Sequence, residues 1–166
     1  MEKTYLTLKE KITFPLAAFG RSGVYTIMSM FLLIFYTDAA GLDPIHAGNI
    51  ILAGRIFDAL NDPLMGMIVD RTHSKWGKMR PYLLFSPVPI AVTTILLFFA
   101  PQFSSYSAKV AYAAVTYILW GIAFTIQDVP FWGLSSVITP NEVERTRFLS
   151  NGRLGSTAGG ILPTVL

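Results

Sequence analysis

No cysteine occurs in the 166 residues. That excludes disulfide scaffolds, thiol catalysis and cysteine-based zinc sites. Charge is scarce as well. Only 14% of the residues are Asp, Glu, Lys or Arg, where soluble chains carry roughly 25%. Such a chain cannot cover itself with a freely soluble surface. Low-complexity and Ser/Gly linker tracts are missing too, so the chain reads as one continuous domain. The net charge of +3 is too small to argue for nucleic acid. His46 and His73 fall in loops without metal-ligand spacing.

What fills the chain instead is apolar: 52% of residues, with a mean hydropathy of +0.51. A bilayer core of ~30 Å needs about 20 apolar helical residues. The pattern predicts an all-α polytopic membrane protein with helices over 14–40, 45–70, 81–101, 108–138 and 148–166. The fifth is still apolar where the sequence stops. The first is too long, and lacks the small-residue cleavage site, to be a signal peptide. Gly41-Leu42-Asp43-Pro44, Trp76-Gly77-Lys78-Met79-Arg80-Pro81 and Thr139-Pro140-Asn141 supply the breaks between helices.

Loop charge orients the helices. Lys3, Lys9, Lys11, Arg71, Lys75, Lys78, Arg80, Arg145 and Arg147 fall on one side, against Lys109 alone on the other. This bias places the N-terminus in the cytoplasm and the protein in the cytoplasmic membrane.

Six ionisable residues lie inside the apolar stretches of these helices, over 14–37, 45–69, 111–138 and from 148 on: Arg21, Arg55, Asp58, Asp62, Asp128 and Arg153. Each costs ~2.5–3.5 kcal/mol at a helix centre. Left unpaired, the six would together cost on the order of 15–20 kcal/mol, comparable to the stability of a whole domain. They must face one another or a water-filled cavity, as helix-gluing ion pairs or as a pathway. On the second helix, Arg55, Asp58, Asn61 and Asp62 fall within about 120° of one another at 3.6 residues per turn. Asp58 and Asp62, one turn apart, can converge on one hard cation, with the Asn61 carbonyl adding an oxygen. A dry Asp58–Arg55 pair is the plainer alternative. Without a metal ion the two carboxylates repel, so a proton can take its place. On the fourth helix, Thr125, Asp128 and Trp132 share a face. A carboxylate beside an indole suits a sugar, its hydroxyls on the acid and its C–H face on the ring. Trp132 also suits an interfacial anchor. Pro130 removes a backbone bond nearby and is expected to open the helix locally. Trp76 and Trp120 read as interfacial or core residues.

The stretch GRIFDALNDPLMGMIVDRTHSKWGKMRPYLL resembles the signature of the glycoside–pentoside–hexuronide:cation symporters, a branch of the major facilitator superfamily. IQDVPFWGLSSVITPNEVERTRFLSNGR and AAFGRSGVYTIMSMFLLIFYTDAAGL match further family blocks, so the resemblance covers nearly the whole chain. It implies a secondary active transporter rather than an enzyme. Its expected role is alternating-access symport of a sugar or glycoside with Na⁺, Li⁺ or H⁺, and it needs no other cofactor. It places the cation at Asp58, Asn61, Asp62 and Thr125. It places the sugar at Arg21, Ser22, Phe124, Asp128, Trp132 and Arg153. Arg55, Asp70, Arg71 and Arg145 form the expected gating and charge network. Ser22 stands where melibiose-type members carry an acid, and Phe124 where they carry a tyrosine. The first change makes the site more positive and points to a pentoside, another neutral glycoside, or an anionic sugar such as a hexuronide.

Superfamily members are built from two six-helix halves with substrate between them. The chain is therefore expected to be the N-terminal part of a twelve-helix transporter. Its partners would be the remaining helices, membrane lipid and the sugar, but no nucleic acid. Two alternatives are a magnesium-dependent intramembrane enzyme of the prenyltransferase kind and a non-transporting truncated remnant. The enzyme is disfavoured by residues 63–65, Pro-Leu-Met, which fail its aspartate spacing.

Overall fold

The computed structural model describes residues 5–165. Lys3 and Leu166, used above for orientation and for the end of the fifth helix, lie outside them. The regular structure is helical: α1 (Leu8–Ile34), α2 (Pro44–Arg71), α3 (Arg80–Phe85), α4 (Pro87–Leu97), α5 (Tyr106–Val137) and α6 (Glu142–Val165). A π-helical turn, Phe35–Ala39, extends α1.

The starts follow from capping chemistry. Thr7 and Glu10 form a reciprocal capping box: the Glu10 carboxylate accepts from the Thr7 N–H at 2.9 Å, and Thr7 Oγ1 accepts from the Glu10 N–H at 3.3 Å. Asp43 Oδ1 accepts from the Ile45 N–H at 2.8 Å with Pro44 as the first helical residue of α2. Asn141 Oδ1 accepts from Val143 and Glu144. That cap starts α6 at Glu142, ahead of the expected 148. Gly41 (φ 66°) and Gly77 (φ 89°) turn the chain through a region closed to most side chains.

The interval read as one helix over 81–101 holds two shorter pieces that meet at Ser86 and end at Leu97. The cause is local: Pro87 and Pro89 have no N–H to donate to Leu83 and Phe85. α5 runs through Pro130 without ending.

Two helical stretches, Leu8–Ala39 and Tyr106–Val137, are long and apolar enough to cross a membrane. α2 has 28 residues, but its charges lower its hydropathy. Its other side bears Leu52, Ile56, Leu60, Leu64 and Ile68, all more than half exposed. A five-residue apolar stripe that open to solvent suits lipid, not water.

The chain divides into two compact units. One holds residues 5–31 and 132–165. There Phe14 stacks on Phe148 (centroids 4.1 Å, 22°) and meets the Trp132 edge at 6.3 Å. Gly155 and Gly159 lie against the carbonyls of Pro15 and Phe19, so α6 presses directly on the α1 backbone. The other unit, Leu32–Phe131, is centred on Tyr36, Leu97, Tyr117 and Trp120. Tyr36 Oη donates to the Ala113 carbonyl at 3.0 Å, and Trp120 Nε1 donates to Thr94 Oγ1 at 2.9 Å.

At the base of the first unit, Glu144 gathers the N-terminal segment. Its carboxylate accepts from the N–H groups of Tyr5 (3.0 Å) and Leu6 (3.2 Å) and from Thr139 Oγ1 (3.0 Å), and it pairs with Lys11 at 3.3 Å. Burial raises the acid's pKa, but these donors outweigh burial and hold it below its ordinary 4.5. A lowered folded-state pKa stabilises above the unfolded value, and the stabilisation is lost as pH falls through the folded one. The thermal midpoint of Glu144→Gln is therefore expected to lie below wild type at neutral pH and to converge with it in acid. A constant difference across pH would rule out this linkage.

Candidate functional site

In the Leu32–Phe131 unit, α2 sets two carboxylates against α5. Thr125 Oγ1 donates to Asp62 Oδ1 at 3.0 Å. One turn earlier on both helices, a Cβ on Gly121 would stand 2.8 Å from Asp58 Oδ1. Asp58 thus approaches α5 where a glycine leaves room, and Asp62 where a hydroxyl meets it. The i,i+4 step of Asp58–Asp62 is repeated by Gly121–Thr125. That matching step was the signal for Gly121, which spacing among acids alone did not reveal. Thr125 is buried, Asp58 and Asn61 are half-buried and Asp62 is exposed. The side-chain donors are all oxygen, the set a hard cation takes.

Other expected residues of this unit fall differently. Phe124 is buried and stacked on Trp120 (5.0 Å, 17°). Asp128 is half-buried on α5, while Arg55, Asp70 and Arg71 are exposed on α2. Trp76 is exposed and stacks on Phe85 at 6.3 Å, whereas Trp120 is core. His46 is exposed, 3.9 Å from Asp43.

The other unit carries a separate cluster. The Arg21 guanidinium lies 5.3 Å above the Trp132 ring, a cation–π contact that strengthens where water is excluded. The hydroxyls of Ser22 and Ser156 are 2.7 Å apart and half-buried. Arg153, three residues before Ser156 on α6, is exposed. Between Lys11 and Phe31, and from Trp132 to Asn141 and Arg145 to Val165, there is no carboxylate side chain. Arg145 pairs at 4.0 Å with Glu142, at the start of α6. Ser156 has no charge or motif to mark it, and only its step from Arg153 would have raised it.

Residues 13–166 match the family described as MFS/sugar transport protein. The inner membrane symporter YicJ of Escherichia coli is 35% identical over 166 residues, covering 100% of this chain and 36% of that protein. The putative glycoside/cation symporter YagG of E. coli is 38% identical over 159 residues, 96% of this chain and 34% of that protein. The glucuronide carrier protein homolog of E. coli is 32% identical over 142 residues, 86% and 31%. The chain thus spans about a third of the length of these relatives. The match is to transport proteins, not to prenyl-transferring enzymes. With its charged helix interiors and family-wide similarity, the chain belongs to the MFS/sugar transport protein family, in its glycoside–pentoside–hexuronide symporter branch.

Proposed function

We propose that this chain forms part of a cation-coupled symporter of an anionic sugar, a hexuronide in class, in the cytoplasmic membrane with its N-terminus inside. The observation that carries the sugar assignment is the charge of the α1–α6 unit. Arg21 over Trp132 and Arg153 on α6 supply two cations and an aromatic face, with no carboxylate side chain between Lys11 and Phe31 on α1 or between Arg145 and Val165 on α6. A pyranose can stack on the indole while its carboxylate takes the guanidinium in charge-assisted hydrogen bonds. The similarity to a glucuronide carrier homolog supports the same class.

The cation, Na⁺, Li⁺ or H⁺, is assigned to Asp58 and Asp62, with Asn61 and Thr125 as further oxygens. Its charge relieves carboxylate repulsion and fixes α2 against α5. Asp128, one turn beyond Thr125 on α5, is assigned to sugar hydroxyls. Each ligand should then tighten the other, by reciprocal linkage. Arg55, Asp70, Arg71 and Arg145 are assigned to pairs that break when the inner side opens.

Uptake of labelled glucuronide into vesicles holding the full-length protein tests this. An inward gradient of one of the three cations should drive accumulation, and unlabelled hexuronide should compete better than a neutral galactoside. Preference for the galactoside would overturn the anionic assignment.

A further inference from the structure

We propose that Ser156, through its hydroxyl contact with Ser22, is a specificity-determining residue that keeps this part of the sugar site neutral and so admits a carboxylate-bearing sugar. The inference rests on the function proposed above but assigns a residue outside the set that the family resemblance supplied.

Ser22 and Ser156 come from α1 and α6, and their oxygens meet at 2.7 Å. Each hydroxyl has one proton and two lone pairs. One proton is used in the mutual bond, so the pair still offers one donor and several acceptor positions. It can serve a sugar hydroxyl or a sugar carboxylate. An aspartate at either position would be acceptor-only and charged. The pair is also placed among the cations: Ser22 directly follows Arg21, and Ser156 lies one turn after Arg153 on α6. The approach is enforced by the backbone, because Gly155, the residue before Ser156, packs on the Pro15 carbonyl. A carboxylate here would neutralise one arginine and repel a uronide at short range.

The test compares Ser156→Asp with Ser156→Asn in the full-length protein. The two replacements have nearly the same size and differ in charge. Binding of a glucuronide and of the matching neutral glucoside is measured by calorimetry. Ser156→Asp should weaken glucuronide at least ~10-fold relative to Ser156→Asn, and leave the glucoside ratio near one, as expected for a like charge placed a few ångströms away. Equal loss of glucuronide in both variants overturns the role of Ser156 while leaving the proposed function standing. If wild type binds the glucoside and not the glucuronide, the proposed function itself falls and the inference with it.

Should the aspartate variant not fold, Ser156→Cys gives a milder probe, made in a full-length background in which any cysteine outside these 166 residues is replaced by serine. Bound glucuronide should slow its reaction with a methanethiosulfonate, and an anionic adduct should lower glucuronide binding more than a neutral adduct. Modification indifferent to sugar, or equal effects of the two adducts, overturns the proposal.

Discussion

Replacing Asp62 by Asn in the full-length transporter should abolish cation-driven accumulation of sugar. The Asp62 carboxylate is exposed on α2 yet fixed by Thr125, whose hydroxyl donates to Oδ1 at 3.0 Å. Asn keeps an oxygen for that bond and the same volume, so the α2–α5 contact survives. What disappears is one negative charge. A cation about 3 Å from a carboxylate oxygen gains several kcal/mol even at an effective dielectric of 20. That is a loss on the order of 100-fold or more in cation affinity at ~1.4 kcal/mol per decade. The residues assigned to the sugar, Arg21, Trp132 and Arg153 in the α1–α6 unit and Asp128 on α5, are all unchanged, so sugar exchange without a gradient should persist. Two measurements check this: gradient-driven uptake, expected to vanish, and exchange between equal sugar pools, expected to remain. Uphill accumulation by Asp62→Asn at the wild-type level would remove Asp62 from the coupling site.

Much of this arrangement was legible because charge in an apolar helix is expensive and must be explained. Asp58, Asp62 and Thr125 share one helix-to-helix contact, and helical spacing alone puts the two acids on one face. Turn chemistry was equally readable, since Asp43-Pro44 caps and opens α2. The break at Ser86 was harder. Pro87 and Pro89 were visible, but the uncharged apolar run around them favoured a single span. The placement of Phe124 was hidden as well, because stacking on Trp120 is a long-range packing outcome with no local signature. Least legible were the small residues. Gly121, Gly155 and Gly159 matter for what they leave empty, and an absent side chain has no chemistry to read. By local propensity, glycines within α6 argue against a helix. Only the neighbouring backbone shows why they stand there.

That seam supports the second large effect, which does not depend on any transport assignment. Gly155→Ala and Gly159→Ala should each destabilise the protein, and Gly159→Val should prevent recovery of folded material. A Cβ at 159 would run into the Phe19 carbonyl, and one at 155 into the Pro15 carbonyl. Both obstacles are backbone, so no side chain can rotate away and α6 must move off α1. Overpacking typically costs ~1–3 kcal/mol where the surroundings can adjust; with a rigid helix on the other side, we expect the upper end or beyond. Gly160 supplies the control. A Cβ there meets only Thr26 Oγ1 at 3.4 Å, an ordinary contact with a movable side chain. Alanine also gains about 0.8–1 kcal/mol of helix propensity over glycine. Gly160→Ala should therefore hold or raise the thermal midpoint in detergent, while alanine one residue earlier lowers it. Helix propensity alone predicts a gain at all three positions, whereas close packing predicts losses at 155 and 159 only. Similar shifts at 159 and 160 would mean that α6 does not rest on the α1 backbone.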